Sequence, residues 1–273
     1  MPRSKSINPI KATALILIAM GLLMSIPIKS IVLHYQFSEF QSDYIALCIK
    51  MNILFLLSYL AIKRLNIEHI AGMSPDYKWK YKSLNLIPFY IFLIGMASVA
   101  SKDFSEVIPF NVLLLFIGCL SVGFAEEFLF RGVLQPLFLH AYISKKRGLL
   151  FGVGAAAFSF GLFHLINLFS SESILPVITQ VIYATFIGFF FGVMVLKTNK
   201  IVPIAITHAL INFFFSIQFL PGLQPENIPD NTESIGALII PILLPFPLFC
   251  IGLILLPKIN IAKVKEKLLT NYK

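Results

Sequence analysis

Ionisable side chains stand inside three apolar stretches of this sequence, where they are costly unless they face a cavity or a partner. The first group lies in residues 125–132, which read AEEFLFRG. Adjacent residues on a helix point about 100° apart, so Glu126 and Glu127 can do different jobs. Glu127 and Arg131 are spaced i,i+4 and can pair along one face. Glu126 then faces elsewhere, and an unpaired carboxylate in a low dielectric is suited to general acid or base chemistry.

The other two groups each place a histidine about one helical turn from an amide. Asn167 follows His164 at i+3, and Asn212 follows His208 at i+4, so each pair shares a helix face. A single membrane histidine is commonly an interhelical hydrogen-bonding group, and a single Glu-Arg pair is commonly a structural contact. Three such groups on three helices favour one shared polar site over three unrelated contacts.

Membrane-spanning helices are the elements that must position these groups. Of 273 residues, 58% are hydrophobic and 13% are charged, whereas about a quarter of a soluble domain is charged. A straight span needs about 20 apolar residues. We therefore predict an all-α, polytopic membrane helical bundle with about eight transmembrane helices. The apolar runs are 10–33, 43–62, 84–100, 107–140, 148–169, 174–196, 201–220 and 235–257.

The loops between these runs alternate in charge. Residues 145–147 read KKR, whereas the loop that holds Glu226, Asp230 and Glu233 has no basic residue. Because Lys and Arg accumulate on the cytoplasmic side, the alternation predicts that the N and C termini are both cytoplasmic. The net charge of +9 then reflects membrane topology and not nucleic-acid binding, since the basic residues lie at the ends of apolar runs.

Together the three polar groups resemble the CPBP intramembrane proteases, which include the CAAX prenyl endoproteases and bacterial bacteriocin-processing (Abi-like) or immunity proteins. That family's pattern is EExxxR, then FxxxH, then HxxxN or HxxxD, on separate transmembrane helices. The resemblance extends over roughly residues 118–216, and Pro203 looks like part of the family's short turn into the last of these helices. The motifs in this chain are Glu126-Glu127-xxx-Arg131, Phe160-xxx-His164 and His208-xxx-Asn212.

The resemblance implies a role for each of these residues in peptide-bond hydrolysis within the membrane. Glu126 looks like the residue that activates the attacking water, assisted by His164. His208 and Asn212 look like the donors that stabilise the oxyanion, while Glu127 and Arg131 would orient Glu126. Amide hydrolysis does need a base for water and fixed donors for the developing oxyanion.

A metal-dependent mechanism is the alternative. Two histidines and a glutamate on separate helices, here Glu126, His164 and His208, could hold zinc and leave a position for water. The same glutamate could equally activate water without a metal. The sequence favours metal-free catalysis only slightly, with zinc as the possible cofactor.

The rest of the chain divides around this region. We expect three N-terminal transmembrane helices in residues 1–106, a catalytic transmembrane core in 107–220, and the last span with a basic cytoplasmic tail in 221–273. The first run has no small-residue cleavage site and is interpreted as an uncleaved span. Cys48, Cys119 and Cys250 lie inside apolar runs and are expected to be buried thiols. The Ile, Lys, Asn and Phe bias hints at a bacterium, and hence at its inner membrane.

Three functions fit these observations. The preferred one is an endopeptidase acting on a membrane-embedded or lipidated peptide, whose identity the sequence does not give. The second is a non-catalytic immunity or regulatory scaffold protein, and the third is an ion-coupled transporter using the Glu-Arg-His cluster. No repeat relates the two halves of the chain, which weighs against a transporter.

Overall fold

A computed structural model describes residues 7–169, 171, 173–223 and 235–269, and within these ranges the chain is helical without any strand. The acidic residues Glu226, Asp230 and Glu233 lie outside the described ranges. The α-helices are α1 Pro9–Ser25, α2 Ile28–Leu33, α3 Glu39–Arg64, α4 Phe89–Ala97, α5 Pro109–Glu127, α6 Gln135–Tyr142, α7 Gly148–Phe163, α8 Ile174–Thr198, α9 Val202–Ser216, α10 Ile235–Leu243, α11 Phe246–Leu255 and α12 Ile261–Leu269.

Seven helical segments in the described ranges are long and apolar enough to cross a membrane, which confirms a multi-pass integral membrane protein. They are Pro9–Leu33, Glu39–Arg64, Pro109–Tyr142, Gly148–Phe169, Ile174–Thr198, Val202–Phe219 and Ile235–Lys258.

The predicted run 84–100 differs from the other seven. It forms a shorter apolar segment, Lys82–Ala97, made of a 3-10 turn, Lys82–Leu86, followed by α4. Pro88 stands just before α4, where its missing N–H is harmless, but it limits how far back the α-helix can extend. This segment is shorter than the roughly 20 residues of a straight span.

Contacts between loops nevertheless show that the chain passes from one end of the bundle to the other along this segment. Before it, the Lys80 amide donates to the Thr198 carbonyl at 3.0 Å. After it, Val107 packs with Leu220 and Leu223. Residues 198 and 220 flank α9, so they lie at opposite ends of the bundle. We therefore expect this segment to make an eighth crossing.

Both ends of the described chain lie at the basic end of the bundle, as an eight-crossing topology requires. Lys267 of α12 donates to Asn199, just beyond α8. At the other terminus, α1 packs against α6, which leads into the basic 145–147 loop. By Lys29 the chain has reached the opposite end, where that side chain pairs with Glu39 and Asp43 at the start of α3.

The longest segment, Pro109–Tyr142, carries the first polar group and contains a π-helical insertion at its centre. Residues Phe128–Leu134 form the wide turn, and the Gln135 amide donates to the Phe130 carbonyl five residues earlier. Pro136 follows immediately, and in an unbroken α-helix its ring would clash with the Gly132 carbonyl. The wider turn relieves that clash, and it begins directly after Glu126 and Glu127. Such insertions are frequent at functional sites.

The eighth crossing can be tested with single cysteines in a chain whose Cys48, Cys119 and Cys250 are replaced by alanine. Lys78→Cys and Lys102→Cys introduce thiols at exposed positions before and after residues 82–97. In intact cells a membrane-impermeant maleimide should label position 102, while position 78 should react only after permeabilisation. Labelling of both positions from the same side would show that residues 82–97 do not cross.

Candidate active site

The Glu127–Arg131 pair is enclosed in the helical core. Glu127 is 0% exposed and Arg131 is 1% exposed, and Arg131 Nη1 lies 3.0 Å from Glu127 Oε1. This confirms the predicted i,i+4 pairing, which here spans the start of the π-helical turn. An ion pair so deeply buried persists only where its surroundings also stabilise both charges.

Aromatic rings from α7 and α8 supply part of that stabilisation. The Arg131 guanidinium carbon lies 4.4 Å from the centre of the Phe160 ring and 5.8 Å from that of Phe191, distances typical of cation–π contacts. Gly188 of α8 makes room for this cation, because a Cβ at that position would lie 2.8 Å from Arg131 Nη2. Phe160, Phe191 and Gly188 therefore position Arg131.

His208 of α9 lies against both carboxylates of α5. Its Nδ1 is 2.8 Å from Glu127 Oε1, and its Nε2 is 3.6 Å from Glu126 Oε2. Since an ionised carboxylate can only accept, Nδ1 carries a proton and donates it to Glu127. That hydrogen bond fixes the ring so that Nε2 points towards Glu126.

The close approach of α9 to α5 depends on Gly123. A Cβ there would lie 2.6 Å from the Ala205 carbonyl oxygen and 2.8 Å from the Ala209 amide nitrogen, so any side chain would push the helices apart. Gly123 is one turn before Glu127, and Ala209 follows His208. Gly123 therefore allows the α5 and α9 backbones to come into contact at the level where His208 reaches the two carboxylates.

His164 stands where α7 ends and a 3-10 turn, His164–Phe169, begins. Its Nδ1 is 3.1 Å from the Phe160 carbonyl oxygen. Because a carbonyl oxygen accepts, Nδ1 holds the proton of the neutral ring and Nε2 has a free lone pair. His164 is therefore arranged as a proton acceptor.

One cavity of about 1230 Å³ joins the three polar groups. Glu126, which is only 5% exposed, borders it, and so do His164, His208 and Asn212. Glu127 and Arg131 are not among the lining residues and lie behind the wall. The six predicted site residues therefore divide into four that face the cavity and two that support them. Most of the remaining lining is apolar, with Met51, Phe163, Ile187, Phe215 and Leu244 among its members.

A polar group on the cavity wall, made of Asn167, Gln180 and Tyr183, was not predicted as part of the site. Asn167 Nδ2 donates to Gln180 Oε1 at 2.8 Å, and Tyr183 stands one turn further along α8. All three line the cavity. The sequence offered a signal for Gln180 and Tyr183, because polar groups spaced i,i+3 inside an apolar span usually share an inward face.

The described side chains do not gather into a three-ligand zinc site. Across the described ranges, no three His, Cys, Asp or Glu side chains lie closely enough together to hold a metal ion. The Nδ1 hydrogen bonds of His208 to Glu127 and of His164 to a backbone carbonyl nevertheless leave each Nε2 available as a ligand, as in metal-binding histidines. Zinc ligation by Glu126, His164 and His208 thus stays a prediction.

Comparison with known proteins gives one result. Residues 108–214 match the family model described as type II CAAX prenyl endopeptidase Rce1-like, whereas no curated protein and no solved structure matches the chain. The matched segment begins just before α5 and ends within α9, so it contains all three polar groups. Residues 108–214 of this chain are therefore similar to the Rce1-like type II CAAX prenyl endopeptidases, which confirms the resemblance carried by the three motifs.

Proposed function

We propose that this chain is an intramembrane endopeptidase in which Glu126 activates a water molecule for attack on a peptide carbonyl. The observation that carries the proposal is that Glu126, His164, His208 and Asn212, from three helical segments, border one cavity inside the membrane-spanning bundle. A buried carboxylate beside that space can take a proton from water. His164 Nε2, with its lone pair free, assists the same transfer.

We assign stabilisation of the oxyanion to His208 and Asn212. Since His208 Nδ1 donates to Glu127, its Nε2 can donate to an oxyanion only when the ring is an imidazolium. Asn212 follows one turn later on α9 and offers an amide N–H as the second donor.

The hydrolysis then proceeds in two steps. As the water oxygen bonds to the carbonyl carbon, its proton passes to Glu126 and the carbonyl electrons move to the oxygen, facing His208 and Asn212. Collapse of the tetrahedral intermediate breaks the C–N bond, and the proton held by Glu126 passes to the leaving nitrogen. The products are a carboxylic acid and an amine. Glu127 and Arg131 touch neither water nor peptide, and they act by holding His208 in place.

The size and lining of the cavity support a membrane-associated or lipidated peptide as substrate. At about 1230 Å³ it exceeds the roughly 300–1000 Å³ typical of small-ligand pockets. Its walls are mainly apolar, with neutral polar groups near the catalytic carboxylate. Such a space accommodates an apolar chain together with a peptide bond. We place the enzyme in a bacterial inner membrane, where peptide precursors or membrane-protein remnants are candidate substrates.

Replacing Glu126 is the direct test of this function. Glu126→Gln keeps the shape of the side chain but removes the base, and we expect cleavage to fall by about 10²–10⁴-fold. The assay uses the purified full-length chain with a panel of lipidated and transmembrane peptides, and elution profile and Tm check the fold. Glu106→Gln, at an exposed carboxylate before α5, is the matched control and should keep full activity.

Turnover retained in Glu126→Gln would reject the assignment of the base. A cellular phenotype that survives both Glu126→Gln and His164→Ala would instead indicate a non-catalytic scaffold. Substrate flux in sealed vesicles without peptide hydrolysis would indicate a transporter.

Removal of metal distinguishes the two possible mechanisms. Because no three potential ligand side chains in the described ranges gather closely enough to hold a metal ion, we expect the purified enzyme to contain well below one zinc per chain and to keep its turnover after treatment with a chelator. Elemental analysis and cleavage assays on the same sample make the measurement. One zinc per chain, with activity lost on chelation and restored by zinc, would establish the metal-dependent mechanism in its place.

The positioning role of Gly188 can be measured against a second glycine. A Cβ at Gly188 would crowd Arg131, whereas one at Gly154 of α7 would meet nothing within 4 Å. Gly→Ala inside a helix alone stabilises by up to about 1 kcal/mol, so Gly154→Ala should raise Tm slightly and leave kcat unchanged. Gly188→Ala should lower kcat by roughly tenfold or more with little change in KM. Equal kinetics in the two variants would contradict the role given to Arg131.

A further inference from the structure

A buried lysine lies at the basic end of the bundle, far from the catalytic cavity. Lys267 of α12 is only 7% exposed. Its Nζ donates to Asn199 Oδ1 at 2.7 Å and lies 4.3 Å from the centre of the Tyr77 ring. Asn199 is itself fixed, because its Nδ2 donates to the Lys78 carbonyl at 3.2 Å. The cation is therefore held in a built position and is not a mobile surface charge.

Other lysines surround this position and give it an excess of positive charge. Burial, followed by the charge of Lys80 and then those of Lys200 and Lys263, lowers the pKa of Lys267 to about 8, and Glu266 partly opposes the shift. Lys200 is also anchored, since its Nζ donates to the Ser74 carbonyl at 2.9 Å. These four lysines repel one another and outnumber the nearby carboxylates of Glu266 and Asp76, so an anion placed among them would relieve that repulsion.

The setting of these lysines points to the surface of the membrane. The last candidate span ends at Lys258, and α12 begins three residues later. One side of α12 packs on the bundle through Val264, Lys267 and Leu268. At the two ends of α12, Ile261 and Leu269 are 46% and 69% exposed. A short basic helix with apolar side chains left uncovered suits the headgroup region of an anionic membrane.

We propose that Lys80, Lys200, Lys263 and Lys267 form a binding site for the phosphate of an anionic phospholipid headgroup. The fixed groups, Lys267 and Lys200, meet the phosphate oxygens, and the exposed lysines Lys80 and Lys263 complete its neutralisation. Lipid is favoured over soluble phosphate because the site lies where the last span leaves the membrane and beside uncovered apolar side chains. The site is independent of the protease chemistry.

Lipid-dependent thermal stability of the full-length protein tests the site. The protein in neutral detergent is titrated with phosphatidylglycerol, and the lipid concentration that gives half of the maximal Tm shift is recorded. The double variant Lys80→Gln/Lys263→Gln alters only exposed side chains and leaves the buried lysine intact. With each basic residue near a membrane surface contributing about 1 kcal/mol, the half-maximal concentration should rise about thirtyfold.

Lys145→Gln/Lys146→Gln is the matched control, because it removes the same charge from exposed lysines of the 145–147 loop. The control should respond to phosphatidylglycerol as the wild type does, and phosphatidylcholine should produce no comparable shift in any variant. The proposal would be overturned by an equal loss in both double variants, by an equal response to phosphatidylcholine, or by inorganic phosphate giving the whole effect at the same concentration.

Discussion

The buried carboxylate of Glu127 is the interaction on which the site depends. A single oxygen of this group, Oε1, lies 3.0 Å from Arg131 Nη1 and 2.8 Å from His208 Nδ1, so it joins α9 to the π-helical turn. Removing water from a charge costs several kcal/mol, and both partners are needed to offset that cost. Once Glu127 is paired in this way through Oε1, His208 has one orientation, and Glu126, the neighbour of Glu127, is left to face the cavity.

Several features of the backbone follow from that constraint. The α5 and α9 backbones must approach closely for His208 to reach Glu127, which explains glycine at position 123. The guanidinium of Arg131 needs space and a polarisable surface, which the rings of Phe160 and Phe191 supply. The π-helical turn widens the helix between the carboxylates and Pro136. Helix geometry, small residues and aromatic rings are thus arranged around one ion pair.

Much of this arrangement could be predicted from the sequence, because lipid makes polar residues conspicuous. The pairing of Glu127 with Arg131 followed from their spacing, and so did the inward position of both histidines. The sequence could not show that His208 binds Glu127 more closely than Glu126, since that depends on how α9 packs against α5. Nor could it show that the helical segment of residues 82–97 is shorter than a normal span. Hydropathy identifies apolar residues, but it does not show where a helix begins or ends. The role of Gly188 could not be predicted for a similar reason. Gly188 and Gly192 form a GxxxG spacing, which in a membrane helix usually indicates close packing against another helix.

The position of Glu126, the proposed catalytic base, along its helix has a further consequence. At 1.5 Å per residue, Glu126 lies about 25 Å along the helical segment from Pro109 and nearly as far from Tyr142, so we expect it near the middle of the bilayer. Water and substrate must both reach that depth, so the cavity is a requirement of the chemistry. The helix α8 extends from this region, where Gly188 adjoins Arg131, to the basic end, where Asn199 holds Lys267. A lipid bound there would fix the height of α8 in the membrane, and with it the depth at which Glu126 meets a peptide bond.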